Sequence, residues 1–259
     1  MNTWTITLFA YLYLTRFVPV QVLFLYHCCV PNSGPGNEYF KLGRFIYSQH
    51  RVHLCGADFV WLLNLGGVRP YALGTIWHTS RSLASRLLRD DFQASLRNKT
   101  VLEIGCGVGL AGLATALYCD PASVIFSDRE PLAVHCALSS ASVNGVKVFP
   151  LADLNTVSAD VKVAGCLLDW AEPQVTLEGT LIDTIIGADV LYDPGTAALC
   201  ANACATIIGN GTVLLCEPAK ERALGCRKAF LIACEECGAT RAEILEVSEE
   251  DCVLVAVTF

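Results

Sequence analysis

The stretch TVLEIGCGVGLAGLATALYCD, residues 100–120, decides the fold of this chain. It begins with TVLEI, a short and mostly apolar run that is typical of a buried strand. Glycines follow at positions 105, 107 and 109, and the Ala- and Leu-rich segment after them favours a helix. Glycines between a strand and a helix allow the backbone to approach a ligand closely. The stretch therefore predicts a strand–loop–helix unit that binds a ligand.

Strand-like and helix-like segments alternate through a single predicted domain, residues 39–259, after a β-like lead-in at residues 39–74. Such alternation predicts right-handed crossovers and a mostly parallel sheet with helices on both faces. Because no helix separates the last two strands, we expect them to form an antiparallel hairpin. The predicted strands are residues 100–104, 123–128, 161–169, 181–189, 212–218, 241–247 and 251–259, and the predicted helices are residues 75–90, 109–118, 130–145, 195–208 and 221–238.

The composition and the placement of the cysteines bear on nucleic-acid binding, on the redox compartment and on metal binding. The formal net charge is -7 and the isoelectric point about 5.2. The chain thus lacks the basic surface that sequence-independent nucleic-acid binding requires, and we predict no nucleic-acid partner. Cysteines number 14 and most lie in apolar segments, where a free thiol packs as a small hydrophobe, which indicates a reducing compartment. The pair Cys234 and Cys237 falls in a predicted helix without a second pair, so we predict no metal site.

Residues 1–38 are predicted to be an extension and linker outside the fold. Residues 4–30 are apolar and long enough to span a membrane, but Arg16 near their middle and Pro19 disfavour insertion. Three interpretations stay open, namely a membrane anchor, a targeting segment and an extension that is not native to the protein. The sequence PNSGPGNE at residues 31–38 is typical of a linker.

The glycine spacing and one carboxylate narrow the class of ligand. The dinucleotide fingerprint G-x-G-x-x-G would place its third glycine at position 110, which is leucine here. Asp128 ends the next predicted strand, near the offset of about 20 residues at which a carboxylate reaches ribose hydroxyls. The pattern therefore favours a ribose-containing ligand and disfavours a nucleotide-dependent oxidoreductase.

Four motifs, in this order, resemble one group of enzymes. EIGCGVGLAG at residues 103–112, SD at 127–128, LLDW at 167–170 and GADVLYDP at 187–194 resemble the seven-strand S-adenosylmethionine-dependent methyltransferases. More narrowly, they resemble the family-16 protein-lysine methyltransferases, over about residues 70–259. The resemblance implies an α/β fold with a Rossmann-like, seven-stranded, mostly parallel sheet, helices on both faces and an antiparallel C-terminal hairpin.

The resemblance also implies S-adenosyl-L-methionine as the cofactor. The three glycines would surround its methionine part, with Glu103 supporting their loop. Asp128 would hold the ribose hydroxyls, and Asp169 and Trp170 would flank the adenine. The full set of implied cofactor-binding residues is Trp77, Glu103, Gly105, Gly107, Gly109, Asp128, Asp169, Trp170 and Ala188.

Asp189 and Tyr192, in the D-x-x-Y motif, are implied by the resemblance to be the catalytic pair that orients the methyl acceptor. From the residues alone, Asp189 also fits a helix cap and Tyr192 a packing side chain. The resemblance implies methylation of a protein lysine. The alternatives are an arginine or small-molecule N-methyltransferase and a non-catalytic module that binds the cofactor. We expect a monomer in the cytoplasm, with the nucleus as a second location, or a protein anchored to a membrane by residues 4–30.

Overall fold

The computed structural model of the chain describes residues 45–47, 50–52, 76–154, 161–173, 177, 179–247 and 251–259. None of the helices in these ranges is both long and apolar enough to cross a membrane. The extension and linker of residues 1–38 lie outside the described residues, as does most of the lead-in at residues 39–74. The membrane anchor at residues 4–30 therefore stays a prediction.

The described part of the lead-in is a small hairpin. Strand β1 (Phe45–Tyr47) pairs antiparallel with strand β2 (His50–Val52), and Phe45 lies opposite Val52. This pairing agrees with the β-like pattern that the sequence shows in the segment before the first predicted helix.

Seven strands form the main sheet, as the sequence predicts. In spatial order the sheet runs β5-β4-β3-β6-β7-β9-β8, and the strands from β3 to β7 are parallel. The C-terminal hairpin is confirmed, and its second strand lies between β7 and β8, antiparallel to both. The strands are β3 (Thr100–Ile104), β4 (Ser123–Asp128), β5 (Lys162–Leu167), β6 (Thr184–Ala188), β7 (Thr212–Pro218), β8 (Arg241–Val247) and β9 (Cys252–Thr258).

All five predicted helices are present, but the first is shorter than the predicted residues 75–90, and two further differences stand out. One helix, α2, is not predicted, because its seven residues are too few to show a periodic pattern. Another, α6, begins at Cys226 and not at Glu221, because Gly225 adopts a left-handed conformation with φ 91° just before it. The helices are α1 (His78–Leu87), α2 (Asp90–Leu96), α3 (Leu110–Tyr118), α4 (Pro131–Val143), α5 (Pro194–Ile208) and α6 (Cys226–Glu236).

Helices cover both faces of the sheet, as strand β3 shows. Leu102 and Ile104 are buried in the core that α5 and α6 complete. Residues next to them along a strand point to the opposite face. Glu103 accordingly meets α3, where its carboxylate accepts the N–H of Gly112 at 2.9 Å. A sheet covered in this way suits strands made of nearly continuous apolar residues.

The topology brings the predicted site residues to one edge of the sheet. Strand order reverses at the neighbouring pair β3 and β6, because β4 and β5 follow on one side while β7 follows on the other. In open α/β sheets, ligands bind at such a switch point, outside the carboxyl ends of the parallel strands. The loops that leave β3, β4, β5 and β6 at this edge carry the four motifs of the sequence.

Candidate active site

A cavity of about 690 Å³ lies at this edge of the sheet. That volume falls in the range of small-molecule binding sites, which is about 300–1,000 Å³. Two of the predicted residues, Glu103 and Gly109, are not among the residues that line the cavity. The structure does bring together Trp77, Gly105, Gly107, Asp128, Asp169, Trp170, Ala188, Asp189 and Tyr192, which all line it.

The glycine loop needs glycine for two different reasons. Gly105 and Gly107 have φ of 57° and 52°, the left-handed region that other residues rarely adopt, and both line the cavity. Gly109 also has a left-handed φ, 78°, but it faces the protein: a Cβ there would lie 2.6 Å from the Cβ of Ala137. Gly109 therefore allows α3 to pack closely against α4, and its contribution to ligand binding is indirect.

Glu103 supports the loop from below the cavity. The side chain is buried, and the N–H of Gly112 at the start of α3 donates to its Oε2 at 2.9 Å. Burial raises the pKa of Glu103 to about 8, while the N–H groups of Ala111 and Gly112 oppose that rise. The carboxyl group thus anchors the first turn of the helix to the strand before it.

Asp128 joins the end of β4 to the glycine loop. The N–H of Gly107 donates to its Oδ2 at 3.1 Å, and the N–H of Glu130 donates to its Oδ1 at 3.0 Å. Burial raises the pKa of Asp128, and these N–H groups counteract part of the increase. Each carboxylate oxygen has two lone pairs, so both oxygens retain acceptor capacity towards the cavity. Asp128 can therefore accept hydrogen bonds from a pair of hydroxyl groups.

The residues that follow β5 form a second wall of the cavity. Asp169 is exposed, and its Oδ1 accepts the N–H of Ala171 at 2.9 Å, which shapes the turn. Trp170 is half-buried and packs against the core under α5 and α6. A tryptophan with one side in the core and one side on a cavity offers a flat apolar surface, which suits an aromatic ring.

Asp189 follows β6, on the other side of β3 from Asp128, and its carboxylate is paired. Arg222, on the loop between β7 and α6, donates from Nε and from one terminal nitrogen to the two carboxylate oxygens. The guanidinium group also lies over the ring of Trp77, 4.8 Å from the ring centre, so Trp77, which the resemblance assigns to the cofactor, lies beside the partner of Asp189. The structure places Asp189 inside the cleft with a bidentate partner, whereas the sequence prediction treated it as free to meet a substrate.

Asp193, and not Asp189, is the helix cap of this segment. Asp193 Oδ1 accepts the N–H of Thr196 at 2.9 Å at the start of α5, and hydrogen bonds from Thr196 lower the pKa of Asp193. Asp189 lies four residues earlier, in a left-handed conformation with φ 58°. Tyr192 is 49% exposed at the mouth of the cavity, so it does not pack in the core.

Glu217, near the end of β7, holds the backbone of the D-x-x-Y turn. The N–H of Val190 donates to its Oε1 at 3.0 Å, and the N–H of Leu191 donates to its Oε2 at 3.3 Å. The side chain is buried, and burial raises the pKa of Glu217 to about 8, with a further increase from the charge of Asp189. The turn that carries Tyr192 is therefore fixed from below by a buried carboxyl group.

Sequence reasoning missed Arg222 and Glu217, although one signal for both was present. Each belongs to the segment CEPAKER at the carboxyl end of β7, the sheet edge where ligands bind. A charged residue at the end of an apolar strand, such as Glu217, is a pattern that the chain also shows at Glu103. The pairing of Arg222 with Asp189 joins residues 33 positions apart and has no local signature.

A second depression, of about 410 Å³, lies beside α6 and the edge strand β8. Its walls include Arg227, Ile232 and Ile244, and none of the predicted site residues belongs to it. Within the ranges that the structure describes, no group of three or more His, Cys, Asp or Glu side chains is placed to hold a metal ion.

Comparison with known proteins gives a match to one family. A family model described as "Lysine methyltransferase" matches residues 72–236, which is more than half of the chain. The chain is 36% identical over 100 residues to the protein-lysine N-methyltransferase EEF2KMT of Mus musculus, a match that covers 38% of this chain and 29% of the relative. The corresponding Homo sapiens protein is 36% identical over 102 residues, covering 39% and 30%. The chain thus spans about a third or less of the length of these relatives.

A solved structure supports the fold alone. The T. thermophilus 16S rRNA N2 G1207 methyltransferase (RsmC), solved with AdoMet and guanosine, superposes with a TM-score of 0.52 at 17% identity. The superposition covers 73% of this chain and 44% of the other. It agrees with the Rossmann-like sheet described above.

Proposed function

This chain belongs to the lysine methyltransferase family whose model it matches, and from that premise we propose that it methylates a lysine side chain of a protein, with S-adenosyl-L-methionine as methyl donor. The observation that carries the proposal is one cavity with two unlike ends. One end has the glycine loop and Asp128, and the other has Asp189 and Tyr192. A donor and an acceptor bound at these ends would be held in one orientation, which is the main contribution a protein makes to a transfer of this kind.

The cofactor end fits S-adenosyl-L-methionine in shape and charge. Gly107 leaves space beside the backbone, and Asp128 has acceptor capacity for the ribose hydroxyls. At Gly105 a Cβ would lie 2.8 Å from Val190 Cγ1, so glycine there allows the loop to pass close to the D-x-x-Y turn. Trp170 offers a flat surface for the adenine. The cofactor, when bound, supplies a methyl group on a positively charged sulfur. Acidic residues outnumber basic ones around the cavity, which favours a cationic ligand: the acids are Asp128, Glu130, Asp169 and Asp189, and the bases are Arg129 and Arg222.

The acceptor end fits an amine. A lysine must lose its proton before it can accept a methyl group, and its unperturbed pKa is about 10.4. Burial against apolar and aromatic side chains lowers the pKa of an amine. We propose that Asp189 accepts N–H hydrogens from the neutral amine and so orients its lone pair, with Tyr192 at the cavity mouth. The released proton passes to water through the same open mouth.

The side chains at the rim of the cavity favour a protein as the substrate. Tyr192 and Leu199 both line the cavity and are 49% and 45% exposed, so apolar and aromatic surface borders the opening. Aromatic residues of this kind are enriched where proteins bind one another. The net charge of -7 disfavours a nucleic-acid substrate. The monomeric state and the cytoplasmic or nuclear location remain predictions of the sequence.

A transfer assay with the full chain tests the proposal. The chain is incubated with a cell extract and methyl-labelled S-adenosyl-L-methionine, and the labelled species are identified by mass spectrometry. We expect label on lysine residues of protein, and loss of the label when the chain carries Asp128→Ala. Label confined to RNA, to small molecules or to arginine would contradict the lysine assignment. Absence of S-adenosylhomocysteine binding in calorimetry would contradict the choice of cofactor.

A further inference from the structure

Arg222 is a charged residue of the cleft, and neither the cofactor nor the acceptor assignment uses it. We propose that Arg222 competes with the substrate cation for its binding position. The guanidinium group occupies the acceptor position between Asp189 and Trp77, and the side chain must rotate away before a lysine can enter. The proposal rests on the proposed function, because it identifies what competes with the substrate for the acceptor end. It makes Arg222 a specificity-determining residue of that site.

The contacts of Arg222 are those of a bound organic cation. Its guanidinium group donates to both carboxylate oxygens of Asp189, a bidentate arrangement. Its planar face lies over the ring of Trp77, 4.8 Å from the centre, which is the geometry of a cation–π contact. A carboxylate on one side and an aromatic face on the other can also hold a lysine ammonium group.

Arg222 blocks access to Asp189. The Asp189 side chain is only 4% exposed, and each of its oxygens already accepts a hydrogen bond from Arg222. Because so little of this side chain is exposed, an amine in the cavity has no open approach to its carboxylate while Arg222 is in place. Since Asp189 and Tyr192 both line the cavity, removal of the guanidinium group would open the carboxylate to a ligand that enters at the mouth.

The block can be released by rotation of one side chain. The backbone after Arg222 is tied down, because Glu221 accepts the N–H groups of Gly225 at 3.0 Å and Arg227 at 2.7 Å. The backbone before it is tied down too, because the Arg227 guanidinium group donates to the carbonyl oxygens of Pro218 at 2.7 Å and Ala219 at 2.9 Å. The Arg222 side chain itself is 38% exposed, so it has a path to solvent. Displacement by another cation exchanges one partner of Asp189 for another, so the buried carboxylate is not left unpaired.

The consequence is discrimination between a lysine in a protein and a free amine. Every amine has to compete with Arg222 for Asp189. A lysine in a protein segment gains compensating contacts at the rim, at Tyr192 and Leu199, whereas a small amine gains none. The pair of Arg222 with Asp189 therefore weakens the binding of every amine, and only an amine that makes additional contacts at the rim binds tightly enough to displace Arg222.

Calorimetry with n-butylammonium chloride, in the presence of saturating S-adenosylhomocysteine, tests the inference on the full chain. We expect binding at least about tenfold tighter for Arg222→Ala than for the wild type, because the ion pair with Asp189 and the cation–π contact with Trp77 no longer compete. Lys220→Ala, which removes an exposed cation from the same loop, should bind like the wild type. Arg222→Lys keeps a cation and should fall between the wild type and Arg222→Ala. Unchanged binding in Arg222→Ala, with S-adenosylhomocysteine affinity intact, would overturn the inference.

Steady-state kinetics separate a competing residue from a positioning residue. If Arg222 competes with the substrate, Arg222→Ala lowers the KM for the lysine substrate about tenfold and retains kcat within about twofold. A fall in kcat at unchanged KM would overturn the inference and assign Arg222 to holding Asp189 in place. The two proposals fail separately. Wild-type chain that methylates no protein lysine while Arg222→Ala binds the butylammonium probe contradicts only the proposed function.

Discussion

The two ends of the cavity are built in different ways. The cofactor end depends on the backbone: glycines with left-handed φ, and a carboxylate, Asp128, that accepts backbone N–H groups. The acceptor end depends on side chains from distant segments, with Asp189 after β6, Arg222 after β7 and Trp77 before α1. Backbone contacts follow from local sequence, whereas contacts between distant side chains follow only from the complete fold. The first end is therefore fixed by local structure, and the second can change with one side chain.

At each end of the cavity, one buried glutamate accepts backbone N–H groups of the turn. The two ends share this feature, so their difference lies elsewhere. Glu103 accepts the N–H of Gly112 beneath the glycine loop, and Glu217 accepts the N–H groups of Val190 and Leu191 beneath the D-x-x-Y turn. Both turns are thus held from below in the same way. The two ends differ in the surface that faces the cavity, where the acceptor end also has the exposed side chain of Arg222.

The largest expected effect is on packing at the cofactor end. Gly109→Ala should lower the free energy of unfolding by about 3 kcal/mol, from left-handed strain plus an overpacked contact with Ala137, 2.6 Å from the new Cβ. Gly145→Ala is the matched control, because Gly145 has a similar φ, 80°, but no atom within 4 Å of the new Cβ. That control should lose only about 1 kcal/mol from strain. Urea unfolding measures both, and equal losses would contradict a packing role for Gly109.

Binding of the cofactor is the next largest effect. Asp128→Asn should weaken the binding of S-adenosylhomocysteine about 30-fold, because a charged acceptor of hydroxyl groups becomes neutral and one acceptor oxygen is lost. Calorimetry measures the dissociation constant. Asp91→Asn, an exposed aspartate on α2, is the control and should leave it unchanged. Equal affinity in the wild type and Asp128→Asn would remove Asp128 from the cofactor site.

The fold was predictable from the sequence wherever an apolar run coincided with a whole strand. TVLEI, SVIFSD and TVLLCEP each match a strand to the residue, as β3, β4 and β7. The start of α6 was predicted wrongly at Glu221, because the apolar pattern continues through a glycine, Gly225, that in fact ends the preceding loop. Helix α2 has too few residues for periodicity to show. Local backbone conformation, and not hydrophobic pattern, decides these boundaries.

The candidate site was predictable to the extent that it is local. Gly105, Gly107 and Asp128 stand close to strand ends, and the structure places all three on the cavity. Gly109 belongs to the same motif but faces Ala137, which spacing alone cannot show, because it depends on how α3 packs on α4. The contact of Arg222 with Asp189 depends on two loops that the sheet order makes neighbours.

At the acceptor end, the expected effect of mutation is on turnover and not on cofactor binding. Asp189→Asn should lower kcat about tenfold, because the neutral amide presents one acceptor oxygen and orients the amine less well. The affinity for S-adenosylhomocysteine should stay within about twofold of the wild type, since the glycine loop and Asp128 are unchanged. Kinetics and calorimetry on one preparation measure both quantities. Full turnover together with full cofactor affinity would contradict the role proposed for Asp189.

A pH dependence of stability is also expected, and the two buried glutamates share it. Burial raises the pKa of both Glu103 and Glu217 from 4.5 to about 8 in the folded chain. Between these values the folded state holds protons that the unfolded state has released, so their contribution to stability is full below about pH 4.5 and is lost as the pH rises to about 8. The free energy of unfolding should therefore fall from pH 5 to pH 8 through these two groups.

Glu103→Gln and Glu217→Gln divide this pH dependence between the two ends of the cavity. A glutamine does not titrate, so each variant should remove about half of the decline that the two glutamates cause, because they carry similar shifts. The measurement is urea unfolding at pH 5, 6, 7 and 8, with Glu236→Gln, an exposed position on α6, as the control that keeps the full slope. If only Glu103→Gln flattened the slope, the D-x-x-Y turn would not be held by a protonated carboxyl group. The two ends of the cavity would then differ in the protonation of their buried glutamates as well as in the side chains that face the cavity.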